Sequence, residues 1–317
     1  MLLSEEGVGS LWCCPLCQQT LQRDLANKLY RCANKHCFDI AKEGYVNLML
    51  VNKKRSKNPG DSKAMIQARK LFLAAGYYQS LADSLVEVVK AYAPAKTAAI
   101  LEVGCGSGRF TAQAVSTGAM VIATDLSGAV DANYRAHEGV ENLLIVQSNI
   151  YQMPFRRESF EKVFCLGVLQ HTPDVEKSFK TLPEYLKAKG SYATDVYDKR
   201  SGLMGFVEIF YRTYFWVRPI TRRMPTQLLY KMVSTYIKLM WPIAKLINKI
   251  PVVGHKINRM LLIVDYRGRY DLSEDMLQEW SILDTFDMLN PAYDQRQTIE
   301  TFRKWFAESP LENIDVH

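Results

Sequence analysis

Residues 98–110 read AAILEVGCGSGRF, the stretch of this sequence with the strongest signal for a fold class. A short apolar run leads into three glycines at alternating positions, Gly104, Gly106 and Gly108. The pattern predicts a buried strand, a tight turn and a helix that begins near Arg109. A dinucleotide-binding fingerprint needs Gly or Ala where Arg109 stands, so that class of site is disfavoured. The glycines instead leave the backbone of the turn open to a flat ligand.

Further apolar runs follow at the spacing of a parallel α/β sheet. The run VIATD ends at Asp125, where a carboxylate can accept hydrogen bonds from both hydroxyls of a ribose. The run NLLIVQSN ends at Asn149, and FEKVFCLGVLQH passes through Gly167 to His171. Because the carboxyl ends of parallel strands meet at one edge of a sheet, we expect these residues to surround one site.

Taken in order, these motifs resemble those of the class I S-adenosyl-L-methionine (SAM)-dependent methyltransferases, and GVLQHTPD is typical of their type 11 group. The resemblance implies an α/β fold with a Rossmann-like sheet. It also implies that Glu102 is tied to the methionine end of SAM and that Asn149, where Asp is common, lies beside the adenine. The cofactor-binding positions that it implies are Glu102, Gly104, Cys105, Gly106, Gly108, Asp125, Leu126, Asn149, Ile150, Leu166 and Gly167.

His171 is the predicted catalytic residue. It follows the fourth strand beside the expected position of the transferred methyl group, and an imidazole can accept a proton near neutral pH. An equal alternative is that His171 only shapes the pocket. Asp174, Tyr197 and Asp198 stay open as other bases.

Five of the seven cysteines lie within the first 37 residues, which favours metal binding over a disulfide scaffold. Thiolates and imidazoles in two short turns are the ligand set of a structural Zn²⁺. Cys37 competes for the fourth ligand position, and Cys13 adjoins the first pair. Two spacings, C-x2-C and C-x3-H, contain the candidate zinc ligands Cys14, Cys17, Cys32 and His36.

The segment CFDIAKEGYVNLML and the basic segment that follows, KKRSKNPGDSKAMIQARKLFLAAGYYQSL, resemble the amino-terminal part of the RlmA-type rRNA guanine-N1 methyltransferases. The resemblance covers about the first hundred residues. In that family the zinc module helps to grip an rRNA hairpin, so the resemblance implies rRNA as a partner. It also places the four candidate ligands at the ligand positions of the family.

The chain is predicted to contain five segments. They are a zinc-binding module (1–50), a basic linker with helices (51–97), a SAM-binding Rossmann-like core (98–199), a helical insert that forms a lid (200–262), and a carboxyl-terminal part (263–317). Apolar residues at three- and four-residue spacing predict amphipathic helices in the insert, with breaks at Pro219, Pro225, Pro242 and Pro251.

Two details concern the edge of the sheet. Lys189 and Gly190 are predicted to lie in the turn before the fifth strand, and ENIDV (312–316) is predicted as the sixth strand. Folds of this kind normally end in a hairpin with an antiparallel last strand. Because the sequence ends at His317, we expect either a truncated chain or a sheet that closes differently.

Charge and composition narrow the function. The net charge of +7 and the two basic stretches, 53–70 and 200–260, favour an anionic partner. No signal peptide and no apolar run long enough for a membrane span is visible, so a cytoplasmic location is predicted. The favoured function is SAM-dependent methylation of guanine N1 in rRNA. The alternatives are a small-molecule or lipid acceptor and, more distantly, a non-enzymatic RNA-binding role; a homodimer stays open.

Overall fold

The computed structural model describes residues 12–24, 26–49, 98–200, 202, 212–270 and 272–316. Contacts divide these residues into two compact units. The first unit holds the described residues up to 49, residues 98–197 and residues 300–316, and the second holds those between 198 and 299. The predicted basic linker (51–97) lies outside the described residues.

The secondary structure is numbered along the described chain. The strands are β1 (Leu21–Asp24), β2 (Leu29–Cys32), β3 (Cys37–Asp39), β4 (Val46–Asn47), β5 (Ala99–Val103), β6 (Met120–Asp125), β7 (Leu143–Gln147), β8 (Phe160–Cys165) and β9 (Leu186–Thr194). The helices are α1 (Thr111–Ser116), α2 (Val130–Ala136), α3 (Val175–Thr181), α4 (Tyr214–Thr221), α5 (Thr226–Ile247), α6 (Gly254–Met260), α7 (Glu274–Leu289) and α8 (Ile299–Ala307).

Strands β4 to β9 form one parallel sheet in the order β4-β7-β6-β5-β8-β9. The predicted α/β class with a Rossmann-like sheet is therefore confirmed. The strands read as near-continuous apolar runs because a sheet of this kind is covered on both faces. The strand order reverses at β5, since β6 lies on one side of it and β8 on the other. Ligands of such sheets bind beyond the carboxyl ends of the strands at that point.

The amino-terminal residues belong to the same unit as the sheet. Strands β1, β2 and β3 form a small antiparallel sheet, and β4 adds to the large sheet through the pairing of Val46 with Val146. Trp12 is buried and its ring lies 5.8 Å from that of Phe155, while the Cys13 N–H donates to the Pro154 carbonyl at 2.9 Å. The small sheet and the large one thus share a hydrophobic core, which so small a module cannot build by itself.

Helix α8 packs against the same core through aromatic rings. The ring of Phe306 lies 4.8 Å from that of Phe179, at a nearly perpendicular angle, and those of Phe302 and Trp305 lie within 5.8 Å of Phe179. Edge-to-face contacts of this kind add to the apolar area that the rings bury. This cluster fixes the end of the chain onto the first unit.

The predicted sixth strand is wrong. Residues 312–316 form no strand, and over the described residues the sheet ends at β9. Asn313 has φ 54°, in the left-handed region, which an extended strand does not accommodate. The segment is instead held by the Arg303 guanidinium, which donates to the Val316 carbonyl at 3.1 Å.

The position predicted for Lys189 and Gly190 is also wrong, because both lie inside β9 at an irregularity in its pairing with β8. Lys189 has φ 65°, and a Cβ on Gly190 would come within 2.9 Å of the Lys187 carbonyl oxygen of the same strand and 3.1 Å of the Glu161 carbonyl oxygen of β8. The two residues therefore form a local bulge, in which glycine lets the strands approach closely.

The second unit is helical over its described residues. The Arg218 guanidinium donates to the Asp294 carboxylate at 2.5 Å and to the Pro291 carbonyl at 2.9 Å, which ties α4 to the segment after α7. The predicted helix breaks at Pro219 and Pro242 are wrong, because both prolines lie inside helices. Both are exposed, so water can satisfy the carbonyl that each proline leaves without a donor. None of the described helices is long and apolar enough to cross a bilayer.

Candidate cofactor site and metal centre

The turn after β5 contains three glycines whose surroundings differ. Gly104, Gly106 and Gly108 all have positive φ values, at 83°, 52° and 99°. A Cβ on Gly104 would lie 2.1 Å from Val168 Cγ2, and one on Gly108 would lie 2.6 Å from Asn133 Oδ1. A Cβ on Gly106 would meet nothing within 4 Å. Gly104 and Gly108 therefore permit close packing, whereas Gly106 borders the open space that a ligand would fill.

This difference predicts that alanine affects mainly stability at Gly104 and mainly SAM binding at Gly106. Gly104→Ala is expected to lower the free energy of unfolding by about 2–5 kcal/mol, because a left-handed backbone and an overpacked contact with Val168 both cost energy. Gly106→Ala should cost only about 1–2 kcal/mol in stability. It should nevertheless weaken SAM binding more than its small effect on stability explains. Urea unfolding and calorimetric titration measure the two effects, and equal stability of both variants would contradict the assignment.

Asp125 is anchored at the end of β6. Its Oδ2 accepts the Gly106 N–H at 2.8 Å and its Oδ1 accepts the Ser127 N–H at 2.7 Å. Each oxygen keeps a further lone pair, so the carboxylate can also accept two hydroxyl groups. The side chain of the next residue, Leu126, is 46% exposed, which is unusual for a leucine at the end of a buried strand. Such an exposed apolar side chain offers a surface that a flat ring of a ligand would cover.

Glu102 lies behind the turn, 2% exposed. The Thr111 hydroxyl donates to its Oε2 at 2.7 Å, and the Asn133 amide donates to that hydroxyl at 3.0 Å. Burial, with a smaller contribution from the charge of Asp125, raises the pKa of Glu102 to about 8, and the hydrogen bond from Thr111 offsets part of the rise. A buried carboxyl beside a second carboxyl is unfavourable in isolation. A ligand with a positively charged end, as SAM has, would stabilise the ionised form of Glu102.

The remaining predicted cofactor residues differ in accessibility. Cys105 is buried, and burial raises the pKa of its thiol well above the usual range. Cys105 therefore contributes its backbone to the site and does not contribute a thiolate. Leu166 and Ile150 are half-buried against the core. The Asn149 Oδ1 accepts the Tyr151 N–H at 3.0 Å, which holds the loop after β7 and leaves one lone pair of that oxygen for an adenine amine. Taken together, these residues and the open space at Gly106 fit SAM.

A second group of polar residues follows β8 and β9. Gly167 has φ 73°, and a Cβ on it would meet nothing within 4 Å. Its N–H donates to Asp195 Oδ1 at 2.6 Å. Burial raises the pKa of Asp195, and the Gly167 N–H and the charges of Arg109 and His171 offset part of this rise. These contacts bring Asp195 and His171 to the same edge of the sheet.

The other candidate bases have different surroundings. The ring of Tyr197 contacts the His171 ring edge-on at 5.7 Å. Asp174 is the N-cap of α3, because its Oδ1 accepts the Lys177 N–H at 3.0 Å, and Asp198 belongs to the second unit. Sequence reasoning missed Asp195. The signal was available, since a carboxylate directly after a parallel strand lies at the ligand-binding edge.

The four predicted zinc ligands lie together. The His36 Nδ1 is 3.5 Å from Cys14 Sγ and 3.4 Å from Cys32 Sγ, and Cys17 Sγ is 3.7 Å from Cys32 Sγ. All four ligand atoms lie within 4.8 Å of one another. A tetrahedral zinc with its usual bond lengths places neighbouring ligand atoms about 3.4–3.8 Å apart. The chemistry of this donor set and the three distances of 3.4–3.7 Å therefore fit Zn²⁺.

The two neighbouring cysteines lie outside this cluster. Cys37 is exposed, and its thiol donates to the Lys35 carbonyl at 3.4 Å. The Cys13 thiol donates to Gln18 Oε1 at 3.2 Å, and burial raises its pKa to about 11. Cys37 is the first residue of β3, and the contact of its thiol with the Lys35 carbonyl holds its sulfur outside the cluster.

Comparison with known families gives two separate matches. Residues 12–57 match the family model described as "RlmA, N-terminal", a zinc ribbon, and residues 101–194 match the model described as "Methyltransferase domain". Each match covers less than half of the chain. Each matched range includes one of the candidate sites. Residues 12–57 contain the Cys and His cluster, and residues 101–194 contain the glycine turn, Asp125 and His171.

Three curated proteins are similar to parts of the chain. A protein of Micromonospora griseorubida with the provisional name 23S rRNA (guanine-N(1)-)-methyltransferase is 36% identical over 39% of this chain and 47% of its own length. The 23S rRNA (guanine(748)-N(1))-methyltransferase of Streptomyces fradiae is 32% identical over 32% of this chain and 34% of its own. The sterol 24-C-methyltransferase of Pneumocystis carinii is 30% identical over 30% of this chain and 26% of its own. The chain therefore matches half or less of each of these relatives.

Proposed function

We propose that this chain is a SAM-dependent methyltransferase that methylates N1 of a guanine in ribosomal RNA. The observation that carries the methyl-transfer part is the anchored Asp125 carboxylate, held 2.8 Å from the Gly106 N–H beside the open side of the glycine turn. The rRNA part is supported by the match of residues 12–57 to the RlmA zinc ribbon and by the names of the first two relatives.

In this proposal the residues of the first unit bind and orient the two reactants. Asp125 holds the ribose hydroxyls, Glu102 faces the cationic end of the cofactor, and Leu126 and Ile150 cover the adenine. SAM supplies an electrophilic methyl group on its sulfonium. Positioning the acceptor nitrogen against that methyl group is expected to supply most of the rate enhancement, which can reach about 7–11 kcal/mol.

Methylation of guanine N1 also requires the loss of a proton. The N1 lone pair forms the new N–C bond, the electrons of the S–CH₃ bond stay on sulfur, and the N1 proton must leave. His171 was the base suggested by the sequence, and Asp195 is a second one. The raised pKa of Asp195 makes its carboxylate a better proton acceptor than an ordinary Asp. A carboxylate can also accept hydrogen bonds from both N1–H and the 2-amino group of guanine.

The zinc cluster is proposed to have a structural and RNA-binding role. Its four ligands would occupy every position of a tetrahedral ion, so no position is left for a substrate or water. The cytoplasmic location and the homodimer stay predictions.

A lipid or small-molecule acceptor is the second candidate. It is favoured by a row of exposed apolar side chains on α5 and by the similarity of part of the chain to a sterol methyltransferase. The two candidates share the cofactor site and differ only in the acceptor.

The deciding experiment is transfer of a tritiated methyl group from SAM. Purified protein is offered undermodified rRNA in one reaction and a lipid and metabolite extract in the other. We expect label in rRNA, at guanine N1 on nuclease digestion. Label confined to the extract would overturn the rRNA proposal and support the second candidate.

Two variants test the proton acceptor in the same assay. Each variant, Asp195→Asn and His171→Ala, removes one candidate acceptor of the N1 proton. The variant that removes the acting base is expected to lower turnover about 10²–10⁴-fold while SAM affinity stays near the parent value. Asp275→Asn and His255→Ala, both exposed in the second unit, are the matched controls. Near-normal turnover of His171→Ala would reduce His171 to a residue that shapes the pocket, and the same result for Asp195→Asn would remove Asp195 as the base.

A further inference from the structure

Helix α5 has two apolar stripes, although a helix that packs on one side needs only one. The first stripe is buried and consists of Leu229, Val233, Ile237, Trp241 and Ala244. The second is exposed and repeats at steps of three and four residues through Leu228, Met232, Tyr236, Leu239, Ile243 and Leu246. At 3.6 residues per turn, the stripes lie roughly 120° apart around the helix axis. We call the second set the exposed stripe.

Side chains of the exposed stripe present a large fraction of their surface to solvent. Leu239 is 73% exposed, Leu246 66% and Met232 51%. Single exposed apolar residues need no explanation, but a continuous row of them marks a surface that something else covers.

The loop after α5 extends this apolar surface. Ile250, Val252 and Val253 are all exposed, Val252 to 77%. Val252 also has φ 66°, which a β-branched residue rarely adopts. The Val253 N–H donates to the Pro251 carbonyl at 2.7 Å and closes this tight turn. The turn thus holds valine side chains outward at an energetic cost, and strained conformations of this kind often mark functional positions.

Positive charge lines one edge of the exposed stripe. Lys231, Lys238 and Lys245 are spaced by seven residues, so they follow one line along α5. Lys249 continues that line, whereas the charge of Lys245 is paired with that of Glu274 at 2.6 Å, so Lys231, Lys238 and Lys249 supply the positive charge of this edge. The sequence has no acidic residue between positions 209 and 264. The surface therefore combines aliphatic side chains with a cationic edge.

We infer that the exposed stripe of α5 and the turn after it dock onto an anionic lipid surface. Aliphatic side chains can enter the acyl region beneath the headgroups while the lysines meet the anionic headgroups, which is how amphipathic helices lie in a membrane interface. This inference goes beyond the proposed function, because it does not depend on which acceptor is methylated.

Two other occupants fit less well. Nucleic acid is bound through phosphate contacts and aromatic stacking. The lysines can contact phosphates, but Tyr236 is the one aromatic ring of the stripe, and its aliphatic side chains would stay exposed to water. A second copy of the chain carries the same lysines and therefore offers no opposite charge to meet them. The charge complementarity therefore favours the anionic bilayer.

Flotation of the full chain with lipid vesicles tests the inference. We expect binding to vesicles of phosphatidylcholine with about 30% phosphatidylglycerol, and much weaker binding to phosphatidylcholine alone. The double variant Leu239→Ser, Ile243→Ser should lower the partition coefficient at least tenfold, because both side chains lie in the stripe. Lys231→Gln and Lys238→Gln should each lower it roughly fivefold and reduce its dependence on salt.

Ile314→Ser is the matched control, since Ile314 is exposed to a similar degree as Ile243 but belongs to the first unit. Unchanged circular dichroism and SAM binding of the double variant show that it is folded. Equal binding to neutral and anionic vesicles, or parental binding of the double variant, would overturn the inference. It would also fall if rRNA binding, or dimer formation in solution, is lost in the double variant while vesicle binding is not.

Discussion

Asp125→Ala is expected to lower the affinity for SAM at least a hundredfold. The side chain would lose hydrogen bonds to two ribose hydroxyls, each worth about 1.5–3 kcal/mol when one partner is charged. It would also release the Gly106 N–H, which Asp125 Oδ2 now accepts at 2.8 Å, and so loosen the turn that faces the cofactor. Calorimetric titration with S-adenosylhomocysteine measures the loss without any need for an acceptor.

Asp275→Ala is the control for this variant, because it removes an exposed carboxylate far along the sequence from the glycine turn. Asp125→Asn separates charge from geometry: its single carbonyl oxygen can keep only one of the two backbone contacts. Affinity near the parent value in Asp125→Ala would show that the cofactor does not bind at this turn. That result would remove the main support for the methyltransferase proposal.

Loss of one zinc ligand is expected to destabilise the whole first unit. Cys32→Ser should abolish stoichiometric zinc and lower the free energy of unfolding by several kcal/mol, since small zinc modules draw about 10–16 kcal/mol of apparent binding energy from the metal. Cys14 and Cys32 are part of the core that also holds Trp12 and Leu101, so the damage should extend into the sheet. Elemental analysis and thermal unfolding, with and without a chelator, measure the effect.

Cys37→Ser and His36→Ala decide the identity of the fourth ligand. Cys37 is exposed and bonded to a backbone carbonyl, so its serine variant should keep zinc and stability. His36→Ala should lose both, because its Nδ1 lies within 3.5 Å of two thiol sulfurs. The opposite pattern, with zinc lost in Cys37→Ser and kept in His36→Ala, would contradict the ligand set.

Much of the architecture could be predicted because it depends on local patterns. The apolar runs that end in Gly104, Asp125 and Asn149 have the length and order of buried parallel strands, and the structure has the predicted sheet. The errors occurred where tertiary contacts outweigh local preference. Residues 312–316 look like a strand, but Asn313 turns left-handed there.

The candidate sites follow the same division. Motif spacing is a property of the chain, so the sequence alone indicates which residue types gather at the carboxyl ends of the strands. It also places Cys14, Cys17 and Cys32 in one cluster and leaves His36 and Cys37 as candidates for the fourth ligand.

The tertiary structure was needed to show that Asp195 contacts the Gly167 N–H near His171 and that Cys37 lies outside the cluster. It also decided that α5 exposes a second apolar stripe. Hydrophobic periodicity shows that a side chain belongs on an apolar face, but not which partner covers that face.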